Sequence, residues 1–333
     1  MLEQLWGVIS MGDQQTFAGE AWKRKGKVTR RERFLAEMDA VIPWSRLLAL
    51  IEPFYHQGKT GRVPHDLERM LRIYFLQQWF NLSDPQAEDE IYDSEAMRRF
   101  ARVELGEDRV PDESTILRFR HLLEKHKLTE AIFEGVKDLL TEHRLTLKSG
   151  TIVDATIIAA PSSTKNAEKK RDPEMKQTRK GNTWHFGMKL HVGTDPRGLV
   201  HSLTATNAAA SDISQLEHLL HGEERVLYGD QAYWKEADRQ SFEEAGVRYR
   251  VNRRAPGGNK NQPERWRKIN RARSRTRARG EHAFRIVKQL WGFQKTRYRG
   301  IAKNLARAQT IFALANLYAV RHKLMPPGLT CAL

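Results

Sequence analysis

Helical periodicity marks residues 64–128. Apolar positions recur three and four residues apart in three runs, LERMLRIYFLQQWF, AEDEIYDSEAMRRFARVEL and STILRFRHLLEKHKL. Asp84 and Pro85 suit a first helical turn, and Asp112 with Ser114 offers capping side chains before the third run. The pattern predicts three short helices, which form either a helix-turn-helix DNA reader or a packing bundle.

After Gly150 the hydrophobic period changes to that of strands. The run TIVDATIIAA is apolar and β-branched almost throughout, which predicts a buried strand. The polar stretch over residues 162–182 predicts a loop. The segments WHFGMKLHVGT and LVHSLTAT, joined by a turn at residues 195–198, predict a hairpin.

Strands and helices alternate further along the chain. Strands are predicted over residues 225–228 and 249–251, a Gly/Pro/Asn-rich loop over 254–262, and helices over 213–220, 234–245, 266–290 and 305–320. This order is typical of an α/β fold, here preceded by an all-α region.

Composition limits the class of protein. With 333 residues and 40% apolar content, the chain is long enough for one large domain or two ordinary ones. No stretch reaches the roughly 20 apolar residues of a membrane helix, and residues 1–10 lack a secretory signal, so we expect a cytoplasmic protein without a membrane partner. The single cysteine, Cys331, excludes an internal disulfide and is interpreted as a plain tail residue.

The charge of the chain is concentrated near its end. The net charge is +16, but residues 248–323 contain 22 lysines and arginines against two acids, or about +20, and leave the remainder at about −4. Dispersed lysines that only maintain solubility would be mixed with acids. The segment therefore predicts contact with a polyanionic partner, usually nucleic acid.

Three carboxylates stand out from their surroundings. Asp154 interrupts an apolar strand, where a lone charge is costly unless it is paired or binds a cation. Asp230 follows a predicted strand, and Glu281 is the one acid between residues 265 and 303. Each has a plain alternative: local pairing for Asp154, a turn for Asp230, and an ordinary helix ion pair for Glu281.

Together the three carboxylates predict a catalytic metal site. Mg²⁺ prefers oxygen ligands, and carboxylates hold two such ions about 3.5–4 Å apart in enzymes that cleave phosphodiesters. We expect two Mg²⁺ ions, with Mn²⁺ as a possible substitute, on Asp154, Asp230 and Glu281. No phosphate-binding glycine motif is found, so a nucleotide cofactor is not indicated.

Helical spacing adds DNA contacts to this site. Arg277, Glu281, Arg285 and Lys288 fall on one face of the predicted helix, and Arg279 belongs to the same basic run. Three apolar residues border the stripe and are expected to pack the helix onto the sheet: Phe284, Val287 and Trp291.

Histidines contribute little to the metal hypothesis. His185, His191 and His282 lack the spacing of a transition-metal motif. Trp184, His185 and Lys189 are instead either DNA contacts near the active site or residues of the strand core.

At these residues the chain resembles the DDE transposases of bacterial insertion sequences, in particular the insertion sequence five group. The similar segments are VDATIIAAPSSTKN, YGDQAYW and GEHAFRIVKQLWGF, which surround the three carboxylates in order. The resemblance extends over about residues 13–320. Ser274 departs from it, because many relatives have tyrosine three positions before the arginine.

The resemblance implies a ribonuclease-H-like fold. The first Asp would lie on the first strand, the second after the fourth, and the Glu on a later helix. It divides the chain into an upstream extension (residues 1–12), a helical end-binding domain (13–145), a catalytic domain (146–323) and a tail (324–333). Residues 11–17, MGDQQTF, look like the family's usual start.

The implied function is cleavage at terminal inverted repeats followed by joining of the freed 3′-hydroxyls to target DNA. A homodimer or higher oligomer on DNA and association with the bacterial nucleoid are expected from the family. Two alternatives remain open: a nuclease or resolvase that does not join strands, and an inactive relic that only binds DNA.

Overall fold

A computed structural model describes residues 24–55, 63–165, 167, 169–253 and 263–326. The predicted extension, the loop over residues 254–262 and Cys331 lie outside these segments. Within them, no helix combines the length and apolar character needed to cross a membrane.

Helices make up the described chain before the sheet. They are α1 (Arg30–Val41), α2 (Trp44–Ile51), α3 (Leu67–Phe80), α4 (Asp84–Asp93), α5 (Glu95–Phe100), α6 (Glu113–Lys125) and α7 (Leu128–Glu142). The predicted caps are present, since Asp112 accepts a hydrogen bond from the Thr115 amide at 2.7 Å. The second predicted run is two helices rather than one, because Ser94 ends α4 and caps α5.

The described strands form one mixed sheet. They are β1 (Thr151–Ala159), β2 (Lys176–Lys180), β3 (Thr183–Thr194), β4 (Val200–Asn207), β5 (Val226–Tyr228) and β6 (Arg248–Tyr249). β3 is antiparallel to β1 and β4, whereas β5 is parallel to β1 and β6. Without β2, the order β4-β3-β1-β5-β6 is that of a ribonuclease-H-like sheet, so the predicted fold class is confirmed.

The loop prediction for residues 162–182 is wrong in part. Lys176–Lys180 is a strand that pairs with the beginning of β3, with Arg179 opposite Trp184. Its residues are polar and mostly exposed, so it carries no alternation of apolar positions from which a strand is predicted.

Two predicted helices also differ from the structure. Residues 213–220 contain short 3₁₀ turns in place of an α-helix. The helix predicted over residues 266–290 is interrupted: α9 (Glu264–Arg277) ends, and α10 (Glu281–Phe284) restarts after Gly280 and continues as a π-helix over Arg285–Leu290. The helices α8 (Glu236–Glu244) and α11 (Ile301–Leu324) agree with the sequence pattern.

The long helix α11 joins the helical region to the sheet. Tyr74 of α3 lies 3.3 Å from Thr310 through their hydroxyls, and Asn316 hydrogen-bonds both the amide and the carbonyl of Val200 on β4. A continuous apolar core runs from α1 to α11. The helices before the sheet are thereby fixed relative to the strands that carry the carboxylates.

His201 on β4 makes stability depend on pH. Its imidazole contacts the hydroxyls of Thr151 and Ser202, and burial, followed by the neighbouring His221, lowers its pKa to about 4. An unfolded histidine binds a proton near pH 6.5, so protonation favours unfolding. The free energy of unfolding is therefore unaffected by this group above about pH 6.5. It falls by up to about 3 kcal/mol as the pH falls towards 4, because the unfolded chain binds the proton first.

We expect His201→Gln to flatten the dependence of the unfolding free energy on pH between about 4 and 6.5, measured by urea denaturation at several pH values. The same substitution at exposed His121 is the matched control. An unchanged slope in His201→Gln would show that other groups dominate acid unfolding.

Candidate active site

Asp154 lies where one edge of β1 is open. Strand β5 pairs with β1 at Thr151 and Ile152, and no strand of the described segments pairs with the next part of that edge. One carboxylate oxygen of Asp154 accepts the Ala155 amide at 2.9 Å, and the other accepts Nη1 of Arg277 at 3.0 Å. The side chain is 17% exposed. The pairing of Asp154 expected for a buried carboxylate is thus present.

The environment of Asp154 opposes its charge. Burial raises the pKa of its carboxyl to about 6, with Arg277 acting in the opposite direction. The charges of Asp230 and Glu281 contribute to the rise. Asp230 and Glu281 therefore lie close enough to Asp154 for their charges to act on its carboxyl.

Asp230 ends the neighbouring strand. It follows β5 after Gly229, where an added Cβ would lie 3.1 Å from Val153 and 3.2 Å from Tyr233, so a larger residue would crowd this strand end. The Asp230 carboxylate accepts the Ala232 amide at 2.8 Å and caps a 3₁₀ turn. Asp230 is therefore a turn residue, as the alternative interpretation expects, and it also lines the same cleft as Asp154.

Glu281 enters from the helix that restarts after Gly280. A Cβ at Gly280 would lie 3.1 Å from Ile152 and 3.2 Å from Thr194, so this position sits directly on the sheet. Glu281 accepts Nη2 of Arg277 at 3.0 Å and is 55% exposed. The helix ion pair considered as an alternative is present, and the same arginine reaches Asp154.

The three carboxylates line a common cleft, the triad cleft. Its walls are Asp154, Ala155, Thr156, Ile157, Thr178, Arg179, Lys180, Lys189, Asp212, Asp230, Arg277, Glu281 and Phe284. Carboxylate oxygens suit Mg²⁺ chemically. However, the described residues hold no group of three His, Cys, Asp or Glu side chains already arranged around one ion position. Arg277 stands between Asp154 and Glu281 instead.

The other two basic residues of the predicted stripe have different surroundings. Arg285 is exposed and lines a groove together with Glu281 and Lys288. The ammonium of Lys288 donates to the Thr156 hydroxyl and the Ile157 carbonyl, each at 3.0 Å, and burial lowers its pKa. Lys288 therefore ties α10 to β1.

Arg279 lies next to the turn between β3 and β4. It is exposed, and its guanidinium donates to the Pro196 carbonyl at 3.3 Å. The apolar residues of the segment lie in the core, with ring contacts to α11: Val287 and Trp291 are buried, Phe284 meets Phe312 edge to face, and Trp291 meets Tyr318.

The β2–β3 hairpin carries the remaining predicted DNA contacts. Trp184 is 64% exposed, whereas His185 is partly buried. Lys189 lines the triad cleft but donates to the Ala210 carbonyl at 2.7 Å and pairs with Asp212 at 2.9 Å. Trp184 thus offers a free aromatic surface, and Lys189 is held inside the protein.

Sequence reasoning missed Asp212, which is a fourth carboxylate of the cleft. It also missed Tyr233, which does not line the cleft but is fully buried close to Asp230, with a hydroxyl that finds no hydrogen-bond partner within the described segments. Burial and the charges of Asp212, Asp154 and Asp230 raise the pKa of Tyr233. In the sequence Asp212 resembles a helix cap, so nothing distinguished it from a structural residue.

Comparison with known families decides the class of protein. Residues 145–317 match a model described as a transposase DDE domain, and residues 23–122 match a transposase domain, DUF772. The chain belongs to the DDE transposase family. The DDE match includes Asp154, Asp230 and Glu281, and the other match spans α1 to most of α6.

Among solved structures, the chain is similar to the crystal structure of the Mos1 strand transfer complex. The identity is 14%, and the likeness covers 80% of this chain and 98% of that one with a TM-score of 0.20. A TM-score this low says nothing about individual residues.

Ser274, the departure from many relatives, has a structural role in this transposase. Its hydroxyl accepts a hydrogen bond from the Asn252 side chain at 3.0 Å. Asn270, one turn earlier on α9, bonds both the amide and the carbonyl of Arg253. These contacts fix α9 to the segment after β6, and so fix Arg277 at its end.

Proposed function

We propose that this transposase belongs to the insertion sequence five group, cleaves DNA at the terminal inverted repeats of its element and joins the 3′-hydroxyls to target DNA. The observation that carries the proposal is the convergence of Asp154, Asp230 and Glu281 on one cleft inside a DDE transposase domain. The cleft is flanked by the most basic segment of the chain.

In this proposal Asp154, Asp230 and Glu281 would hold two Mg²⁺ ions, or Mn²⁺ in their place. The ions would activate the attacking water or 3′-hydroxyl and stabilise the leaving oxygen of the phosphodiester. The protein's own part is placement: β1, the end of β5 and α10 bring the carboxylates together, and Lys288 holds α10 against β1. Glu281 is more exposed than Asp154, at 55% against 17%, and would meet entering DNA before it.

The DNA backbone would follow the basic side chains around the cleft. Arg285 and Arg279 are exposed beside Glu281, and Arg277 lies between the carboxylates. The hairpin opposite adds Arg179 and the exposed ring of Trp184. His185, Lys189 and Lys288 are also proposed to contact the DNA. In the DNA-free protein Lys189 contacts Ala210 and Asp212, and Lys288 contacts Thr156 and Ile157.

The helices before the sheet are proposed to bind the element's ends, with α6 as the most suitable surface. Most residues of α3 are buried, so α3 is a core helix. In contrast, Arg118, His121 and Lys125 of α6 are exposed and recur on one face. Footprinting of the intact protein on end DNA, with Arg118→Gln, would show loss of protection at the repeat if this face reads it.

Binding should depend strongly on salt, because each neutralised phosphate releases counterions. Arg285→Gln is expected to reduce the slope of log affinity against log salt by about 1, measured by fluorescence anisotropy on duplex DNA. Arg239→Gln, which removes a charge from α8 where Arg239 pairs with Glu236 and Glu243, is the matched control. Equal slopes for the two variants would place the DNA away from α10.

The proposed activity is tested on DNA that carries the short inverted repeats expected on either side of the gene. With Mg²⁺, we expect the protein to nick at the repeat ends and leave 3′-hydroxyls. The positions of the nicks are mapped on sequencing gels. Cleavage at random positions, or none with either Mg²⁺ or Mn²⁺, would contradict the proposal.

Copies of this protein are proposed to form a homodimer or higher oligomer on DNA that bridges two ends of the element. No nucleotide or membrane partner is proposed. The place of action would be the bacterial cytoplasm, on the nucleoid.

A further inference from the structure

Arg277 occupies a position between two carboxylates of the proposed triad. It is the last residue of α9, and its two terminal nitrogens lie 3.0 Å from Asp154 Oδ2 and 3.0 Å from Glu281 Oε1. Its Nε is buried and finds no hydrogen-bond partner within the described residues. The guanidinium therefore satisfies the carboxylates but leaves one of its own donors unsatisfied.

This position is incompatible with a divalent ion on the same oxygens. Mg²⁺ binds carboxylate oxygens at about 2.0–2.1 Å, closer than the arginine nitrogens. An ion that bridged Asp154 and Glu281 would overlap the guanidinium and be repelled by its charge. The second oxygen of Asp154 already accepts the Ala155 amide at 2.9 Å, which limits the room for an ion on that side.

We propose that Arg277 is a built-in counter-cation, which holds Asp154 and Glu281 while no ion is bound and must leave them when a divalent ion enters. This inference rests on the proposed function. Guanidinium groups bind phosphate through paired hydrogen bonds, so DNA backbone offers Arg277 a second partner. DNA binding would draw Arg277 away and open the site, which couples ion binding to DNA binding in both directions.

The nearby Lys288 does not take this role. Its ammonium is committed to the Thr156 hydroxyl and the Ile157 carbonyl at 3.0 Å each. Of the cations in the described part of the triad cleft, Arg277 is the one whose ion pairs join two of the three carboxylates. A change at Arg277 is therefore expected to alter ion affinity more than the loss of an equal charge elsewhere on α9.

The test is calorimetric titration of the DNA-free protein with Mn²⁺. We expect Arg277→Gln to bind Mn²⁺ about tenfold more tightly than the wild type. Arg277→Lys, which keeps the charge but loses the bidentate fork, should lie between them. The control is Arg275→Gln, an equal loss of charge at an exposed position on α9, with an affinity within about twofold of wild type. An affinity of Arg277→Gln equal to or weaker than wild type overturns the proposal.

A second titration adds a random-sequence DNA duplex. The wild type and Arg275→Gln should then bind Mn²⁺ roughly tenfold more tightly, whereas Arg277→Gln should gain much less. An equal gain in all three proteins would show that Arg277 does not connect the two ligands. Should Arg277→Gln fail to fold, as judged by circular dichroism, Arg277→Lys decides the outcome by the same comparison.

Asp154→Asn separates this inference from the proposed function. If Mn²⁺ binding requires Asp154 but is the same in Arg277→Gln and wild type, the metal site stands and the role of Arg277 fails. If Mn²⁺ binding is unaffected by Asp154→Asn, the metal site and the counter-cation role fail together.

Discussion

Asp154→Asn should reduce DNA cleavage at the element's ends by roughly a thousand-fold or more, which corresponds to about 4 kcal/mol of transition-state stabilisation. The amide has the shape of the carboxylate and still accepts a hydrogen bond from Arg277, but it lacks the charge that a metal ion requires. Because Asp154 is mostly buried, water is poorly placed to substitute for the lost ligand.

The measurement is the initial rate of nicking on end DNA with Mg²⁺, together with the affinity for the same DNA. Affinity should change little, since the basic side chains that hold the backbone are retained. Asp93→Asn, an exposed aspartate at the end of α4, is the matched control and should nick at the wild-type rate. Nicking by Asp154→Asn within about threefold of wild type would remove Asp154 from the chemistry.

Gly198→Ala has the second largest expected effect. Gly198 lies in the turn between β3 and β4 with φ of +90°, and an added Cβ would lie 2.4 Å from the Arg279 carbonyl oxygen. Since Arg279 is two residues before Glu281, the backbone there must shift and move Glu281 relative to Asp154. We expect the unfolding free energy to fall by about 2–4 kcal/mol, and cleavage to fall by roughly ten- to a hundred-fold.

Gly222→Ala distinguishes crowding from backbone strain. Gly222 also has a positive φ, +87°, but nothing lies within 4 Å of an added Cβ. It should lose about 1 kcal/mol of stability and keep its cleavage rate. Cleavage rates and urea unfolding of both variants are compared with wild type. A cleavage loss in Gly222→Ala equal to that in Gly198→Ala would argue against a displaced Glu281.

The sequence was sufficient to place Asp154 on a strand, Asp230 after a strand and Glu281 on a helix, although that helix is interrupted just before Glu281. The catalytic role of the three carboxylates stays a prediction. Asp154 was conspicuous as a charge within an apolar strand, and Glu281 as an acid within a basic segment. Both signals are local in the sequence and have a physical cost, so they indicate function without knowledge of neighbours in space. The strand before Asp230 was short but ended at Gly229, which marked its boundary.

Features that depend on long-range packing were not predictable in the same way. At the break before Glu281, Gly280 lies so close to Ile152 and Thr194 that an added Cβ would crowd them, and both residues are distant in sequence. Strand β2 is polar and mostly exposed, and among the described strands it pairs with β3 alone, so it has no buried face to produce a pattern. The presence of Asp212 in the cleft depends on the course of the chain after β4.

Strand joining with pre-nicked ends tests the central claim most directly. A duplex with the terminal repeat and a free 3′-hydroxyl is incubated with Mg²⁺, a supercoiled target plasmid and either wild type, Asp154→Asn, Asp230→Asn or Glu281→Gln. The account predicts covalent end–plasmid products with wild type and none with the three variants, all of which still bind the duplex. Joining by any of these variants at the wild-type rate, or wild-type protein that only hydrolyses the DNA, would contradict it.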